Sequence, residues 1–103
     1  MARRSGIEVD LAMMYLLKGS LLESKSNLGE AENSFRTSIE TARRQSAKSM
    51  ELRATTSLAR LLRDTNRRDE ARAMLSDIYN WFTEGFDTAD LKDAKALLDE
   101  LSA

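Results

Sequence analysis

The chain has no cysteine, no histidine and no proline, and only four glycines among its 103 residues. Without cysteine there is no disulfide framework and no thiolate nucleophile. Without histidine there is neither a histidine-ligated metal centre nor an imidazole base. Without proline nothing interrupts long helices, and the turn punctuation expected of an all-β domain is missing. An excess of charge is lacking too: 16 basic against 17 acidic residues leave a net charge of −1. That balance provides no global field for nucleic acid or an anionic membrane, so neither is an expected partner. The longest apolar run, Leu11 to Leu17, ends at Lys18, well short of the roughly 18 residues a membrane span needs. The opening Met1-Ala2-Arg3-Arg4-Ser5-Gly6 is basic, but Glu8 and Asp10 follow and no small-residue cleavage site does. A secretory signal is therefore not expected, and a soluble cytoplasmic protein is.

What is present is an internal repeat. The stretch from Gly19 to Ala31 slides onto Ala59 to Ala71 with four identities, Leu21/Leu61, Leu22/Leu62, Glu30/Glu70 and Ala31/Ala71, and with small residues matched at Gly19/Ala59. The offset is 40 residues, a period that marks stacked helical hairpins. A chain of this length suits a single domain, spanning 1–103, and can bury roughly two-thirds of the surface its unfolded form exposes.

Helical spacing of apolar residues divides that domain into five helices. Residues 1–6 are expected to be a loose end, 7–45 a first hairpin, 46–86 a second, and 87–103 a capping helix. The first helix starts near Ile7, with Leu11, Met14, Tyr15, Lys18, Leu21 and Leu22 on one face. Ala12, Met13, Leu16 and Leu17 make the rest of it apolar as well, so it is expected to be covered on more than one side. Lys25-Ser26-Asn27 is a turn, and Asn27 with Glu30 has the spacing of a capping box. Helix two runs from Leu28 to Arg44 with Ala31, Phe35, Ser38, Ile39 and Ala42 inward. Helix three runs from Ala47 to Asp64, with Ser46 or Ser49 available as a cap. Thr65-Asn66-Arg67-Arg68 is the second turn, and helix four runs from Asp69 to Phe82. Gly85 suits a left-handed helix end. Trp81 and Phe82, with Phe86, are expected to dock the fifth helix, Ala89 to Leu101.

The residues of each unit resemble a tetratricopeptide repeat: Tyr15, Gly19, Leu22, Ala31, Phe35 and Ser38 in the first, and Leu58, Ala59, Leu62, Ala71 and Leu75 in the second. The small residues are needed where the two helices of a hairpin cross closely. Lys18, Thr55 and Ile78 depart from the family's pattern, the proline that usually ends the second helix is absent, and the spacing exceeds the usual period of about 34. Such longer repeats are similar to the helical tails that follow nucleotide-cyclase or ATPase modules in large bacterial signalling proteins. The resemblance implies an all-α fold of two tandem antiparallel hairpins plus a C-terminal capping helix. It also implies a non-catalytic protein–protein interaction module, belonging to or derived from a larger bacterial regulator. No enzymatic module is matched, so no activity carries over.

Two surfaces are candidates for that work. Arg53, Thr56, Arg60, Arg63 and Arg67 share a stripe on helix three, away from its core side. Guanidinium groups pair with carboxylates in bidentate fashion, so the stripe suits a protein or peptide with acidic residues. The competing reading is a solvated face balanced by Glu51, Asp64 and Asp69. Ile7, Met13, Leu16 and Leu17 form an apolar patch on helix one, and this patch suits an oligomer interface, with homodimerisation through helix one as the alternative function. No catalytic, cofactor or metal site is expected. Carboxylate pairs such as Glu30/Glu32 and Asp99/Glu100 lie on outer faces, and no calcium-, phosphate- or zinc-binding spacing occurs.

Overall fold

A computed structural model describes residues 2–85 and 88–102, with the side chains of the first helix described from Leu11 onward. The chain is all-α: α1 (Ala2–Ser24), α2 (Leu28–Arg44), α3 (Lys48–Asp64), α4 (Arg68–Tyr79) and α5 (Ala89–Leu101), with no strand among the described residues. α1/α2 and α3/α4 form tandem hairpins, and α5 packs on α3 and α4. The first helix begins at Ala2, ahead of the expected Ile7. Arg3, Arg4 and Glu8 are good helix formers, and with no proline there the cost of Gly6 does not stop the helix. α4 closes at Tyr79, earlier than the expected Phe82, with Asn80 as its C-cap.

Three of the helix ends share one turn. Ser26, Ser46 and Asn66 take left-handed φ values of 63°, 56° and 69°. Around each, the same bonds recur: Ser26 N–H donates to Glu23 O and Asn27 N–H to Leu22 O. Ser46 and Ala47 donate likewise to Arg43 and Ala42, and Asn66 and Arg67 to Arg63 and Leu62. This pattern satisfies the last carbonyls of each helix. It also explains why the expected capping box does not form. Asn27 leaves the turn at φ −91° and ψ 71°, away from the extended geometry in which a cap side chain reaches the next amides. Ala47, not Ser46 or Ser49, caps α3, again without a side-chain bond.

The core runs through all five helices, with Phe35, Leu52, Leu58, Leu61, Leu62 and Leu75 fully buried. On α2 the expected inward residues Ala31, Phe35, Ser38, Ile39 and Ala42 are all buried. The crossing of α1 on α2 is close. The Phe35 ring lies where a Cβ on Gly19 would stand, 2.6 Å from its nearest carbons. One turn away along the crossing, Ser38 Oγ donates to the Ala12 carbonyl at 2.7 Å.

The 40-residue offset recurs along the chain, because α5 also falls into register with α1 and α3. α3, in the middle, buries two faces: Leu52, Thr55, Thr56, Ala59 and Leu62 on one, and Glu51, Ala54, Leu58 and Leu61 on the other. Among its described side chains α1 buries only the counterpart of the first face, through Ala12, Leu16 and Gly19. α5 buries only the counterpart of the second, through Leu91, Ala94, Leu97 and Leu101. Each terminal helix therefore leaves one face uncovered by any described residue, and the two faces differ in chemistry. That of α5 presents Lys92, Lys95, Ala96, Asp99 and Ser102. That of α1 presents Leu11, Met14, Leu17, Lys18 and Leu21.

Candidate functional site

Four of the six exposed large hydrophobic side chains among the described residues lie on the outer face of α1. Met14 is 64%, Leu17 60% and Leu21 56% exposed, with Leu11 at 38%. Spacings of three and four residues align them along one side of the helix. Lys18 is exposed in the middle of this row and makes no ion pair among the described residues. An aligned apolar row of this kind differs from singly scattered surface leucines, which need no explanation.

Of the interface residues expected from the sequence, Leu17 lies on this face. Leu16 does not: it is only 6% exposed and belongs to the chain's own core. Met13 is half-buried against that core. The Ile7 side chain lies outside the described residues. The outer face instead gains Leu11, Met14 and Leu21. Gly19 is the signal that distinguishes the two sides, since the smallest residue of a helix marks where a neighbour crosses closely. The side carrying Gly19 also carries Ala12 and Leu16.

The arginine stripe of α3 is arranged differently from the spacing-based expectation. Thr56 is buried, its Oγ1 donating to the Leu52 carbonyl at 2.8 Å. Arg53 Nη2 meets Asp90 Oδ2 of α5 at 3.1 Å. Arg63 Nη1 reaches both carboxylate oxygens of Glu100 at 3.1 Å, and its Nε meets Asp64 at 3.0 Å. Arg67 bonds Glu32 of α2 at 2.7 Å and Glu70 of α4 at 2.9 Å. Arg36 completes a square with the same two carboxylates, at 2.9 and 2.7 Å. α5 lies along this side of α3, so its acids, with those of α2 and α4, occupy three of the four guanidinium groups. Arg60 alone of the stripe makes no ion pair among the described residues.

The square is tuned electrostatically. The bond from Arg67, helped by Arg36, holds the Glu32 carboxyl below its usual value, and Arg36 with Arg67 does the same for Glu70. Glu23 moves the other way: partial burial and the nearby Asp64 raise it, against the opposing pull of Arg60 and Arg63. One carboxylate lies inside the fold. Glu51 is 4% exposed on the face of α3 that α2 covers, and Arg43 of α2 meets it at 2.9 Å, with Lys48 at 3.4 Å.

The aromatic cluster divides. Phe82 packs against the core, whereas Trp81 stays 56% exposed, edge-on to Phe82 with Lys48 Nζ 5.4 Å from its ring centroid. Phe86 lies outside the described residues. Among the described residues no group of three His, Cys, Asp or Glu side chains could hold a metal ion, and no helix is long and apolar enough to cross a membrane. No family model, curated protein or solved structure matches this chain.

Proposed function

We propose that this chain is a non-catalytic protein–protein interaction module built of tetratricopeptide-like hairpins, and that its working surface is the outer face of α1. The observation that carries this reading is the asymmetry of the two terminal helices. The uncovered face of α5 is charged, as a solvated end should be, while that of α1 carries Leu11, Met14, Leu17 and Leu21. Covering such a row removes apolar surface from water at about 25 cal/mol per Å². The arginine stripe is the weaker candidate, because Arg53, Arg63 and Arg67 would have to surrender partners within the chain before binding another carboxylate. The resemblance of the repeats to helical tails of bacterial regulators supports a setting beside a larger signalling protein in the cytoplasm.

The test is a selection of displayed helical peptides on the immobilised chain, read against Leu17→Asp and Arg60→Glu. Selected peptides should lose binding to Leu17→Asp and keep it on Arg60→Glu. The opposite pattern would return the function to the arginine stripe, and the absence of enriched peptides would count against an interaction module.

A further inference from the structure

Building on the interaction reading above, we propose that the outer face of α1 receives an amphipathic helix of another protein, running antiparallel to α1 and carrying an aspartate or glutamate opposite Lys18. Two observations within the molecule define this occupant. First, the same register positions are already covered elsewhere in the fold. Ala54, Leu58 and Leu61 of α3 are buried, as are Leu91, Ala94 and Leu101 of α5. α2 packs on α3, and α4 together with α3 packs on α5, so the second helix of the preceding hairpin takes part in the covering each time. The outer face of α1 continues this series of interfaces, and a helix is the shape that fits it.

Second, the molecule shows how a charge within this interface is handled. The α3 face contains one charged residue, Glu51, and the covering helix answers it with Arg43 at 2.9 Å. An unanswered charge there would lose its hydration without compensation. In α1 the counterpart of Glu51 is Leu11, and the charge has moved to Lys18, where α3 and α5 carry Leu58 and Leu98. Lys18 lies seven residues, two helical turns, beyond the Glu51-equivalent position. An antiparallel covering helix therefore needs its carboxylate two turns before the place that Arg43 holds in α2. That puts the acid near the middle of the partner's apolar row.

A second copy of the chain fits this face less well. Among the described residues the outer row contains no carboxylate, so none of them on a twofold mate answers Lys18. The nearest described acid of α1, Glu23, feels Asp64, Arg60 and Arg63 on the inner side.

The test uses two synthetic 18-residue amphipathic helices, identical except for Glu or Lys at the centre of a leucine row. Their binding to the full chain is followed by fluorescence anisotropy at low salt. The Glu peptide should bind wild type about tenfold more tightly than the Lys peptide, as a charge-matched pair at a partly desolvated site requires. Lys18→Glu should reverse the preference, Lys18→Leu should abolish it, and Met14→Asp should remove binding of both. Lys18 is exposed, so its variants keep the fold, which circular dichroism verifies. Equal binding of both peptides, lost on Met14→Asp, would overturn the acidic partner while leaving the interaction reading intact. No binding of either would overturn the helical occupant, and the peptide selection would then judge the broader reading separately. A dimer in sedimentation equilibrium that Leu17→Asp dissolves and neither peptide displaces would overturn the proposal in favour of a second copy.

Discussion

Gly19 offers the sharpest test of how the two hairpin helices meet. In an exposed helix interior, Gly→Ala stabilises by about 1 kcal/mol, because alanine loses less backbone freedom on folding. At Gly19 that gain is opposed by the Phe35 ring, whose Cδ1 and Cε1 lie 2.6 Å from where the new methyl would stand. The ring has no free end to swing aside, since Phe35 is 0% exposed. Forcing a methyl into a filled core costs about 1–3 kcal/mol, so Gly19→Ala should lower stability by on the order of 1 kcal/mol. For a domain of this size that is a fall of roughly 4–8 °C in Tm. Gly29, in the first turn of α2, is the matched control, because nothing lies within 4 Å of its added Cβ. Gly29→Ala should therefore stabilise by about 0.5–1 kcal/mol. Urea unfolding followed by circular dichroism measures both, with unchanged m-values confirming that the folded state is the same. Adding Phe35→Leu to Gly19→Ala should recover part of the loss, a coupling of about 0.5–3 kcal/mol expected for side chains in contact. If Gly19→Ala stabilised the chain as Gly29→Ala does, the close crossing of α1 on α2 would be wrong, and with it the choice of which face of α1 is outward.

Three further outcomes follow from buried polar groups and from the charge square. Thr55 Oγ1 is buried without a hydrogen-bond partner among the described residues, so Thr55→Val should raise stability by about 1 kcal/mol in the same urea assay; a loss would mean the hydroxyl is satisfied. Arg43→Ala should cost about 1–2 kcal/mol by weakening the support of a buried carboxylate, whereas Glu51→Leu, which copies Leu11 and Leu91, should be neutral or stabilising. Equal losses in the two variants would contradict that account. Glu32 and Glu70 titrate below their unfolded value near 4.5, so their contribution is complete above that pH and disappears as pH falls through the lower folded values. Low-salt unfolding between pH 6 and 3 should show a decline that Glu32→Gln with Glu70→Gln flattens; superimposable profiles would remove the square from the stability of the fold.

Much of the helical layout was legible because local and tertiary signals agree. The inward row of α2 reads directly from Ala31, Phe35, Ser38, Ile39 and Ala42, since polar residues fill the opposite side. The bounds of α5 follow from the same clear separation. The first helix was harder, because apolar residues surround it and periodicity alone cannot choose between two apolar faces. Spacing therefore places Leu16 outward and groups Leu11, Met14 and Leu21 on one face with Tyr15 and Leu22, although Leu22 packs on the core and Leu11, Met14 and Leu21 are exposed. Comparison across all three register-matched helices resolves it. The arginine stripe shows the other limit of spacing arguments. Spacing places Arg53, Arg63 and Arg67 on one side of α3, and besides the local partners Asp64 and Glu70 each meets an acid 37, 37 or 35 residues away in another helix. Pairings of that range depend on how the helices stack, which no local pattern contains.

The even placement of the left-handed residues at 26, 46 and 66 governs how this architecture can change size. Gaining or losing one residue inside α2 or α3 would rotate everything beyond it by about 100° and move buried leucines toward solvent. Duplicating or deleting a complete forty-residue unit would preserve every rotational phase. The architecture therefore lends itself to change in whole hairpins, each of which leaves the phase of the buried rows intact.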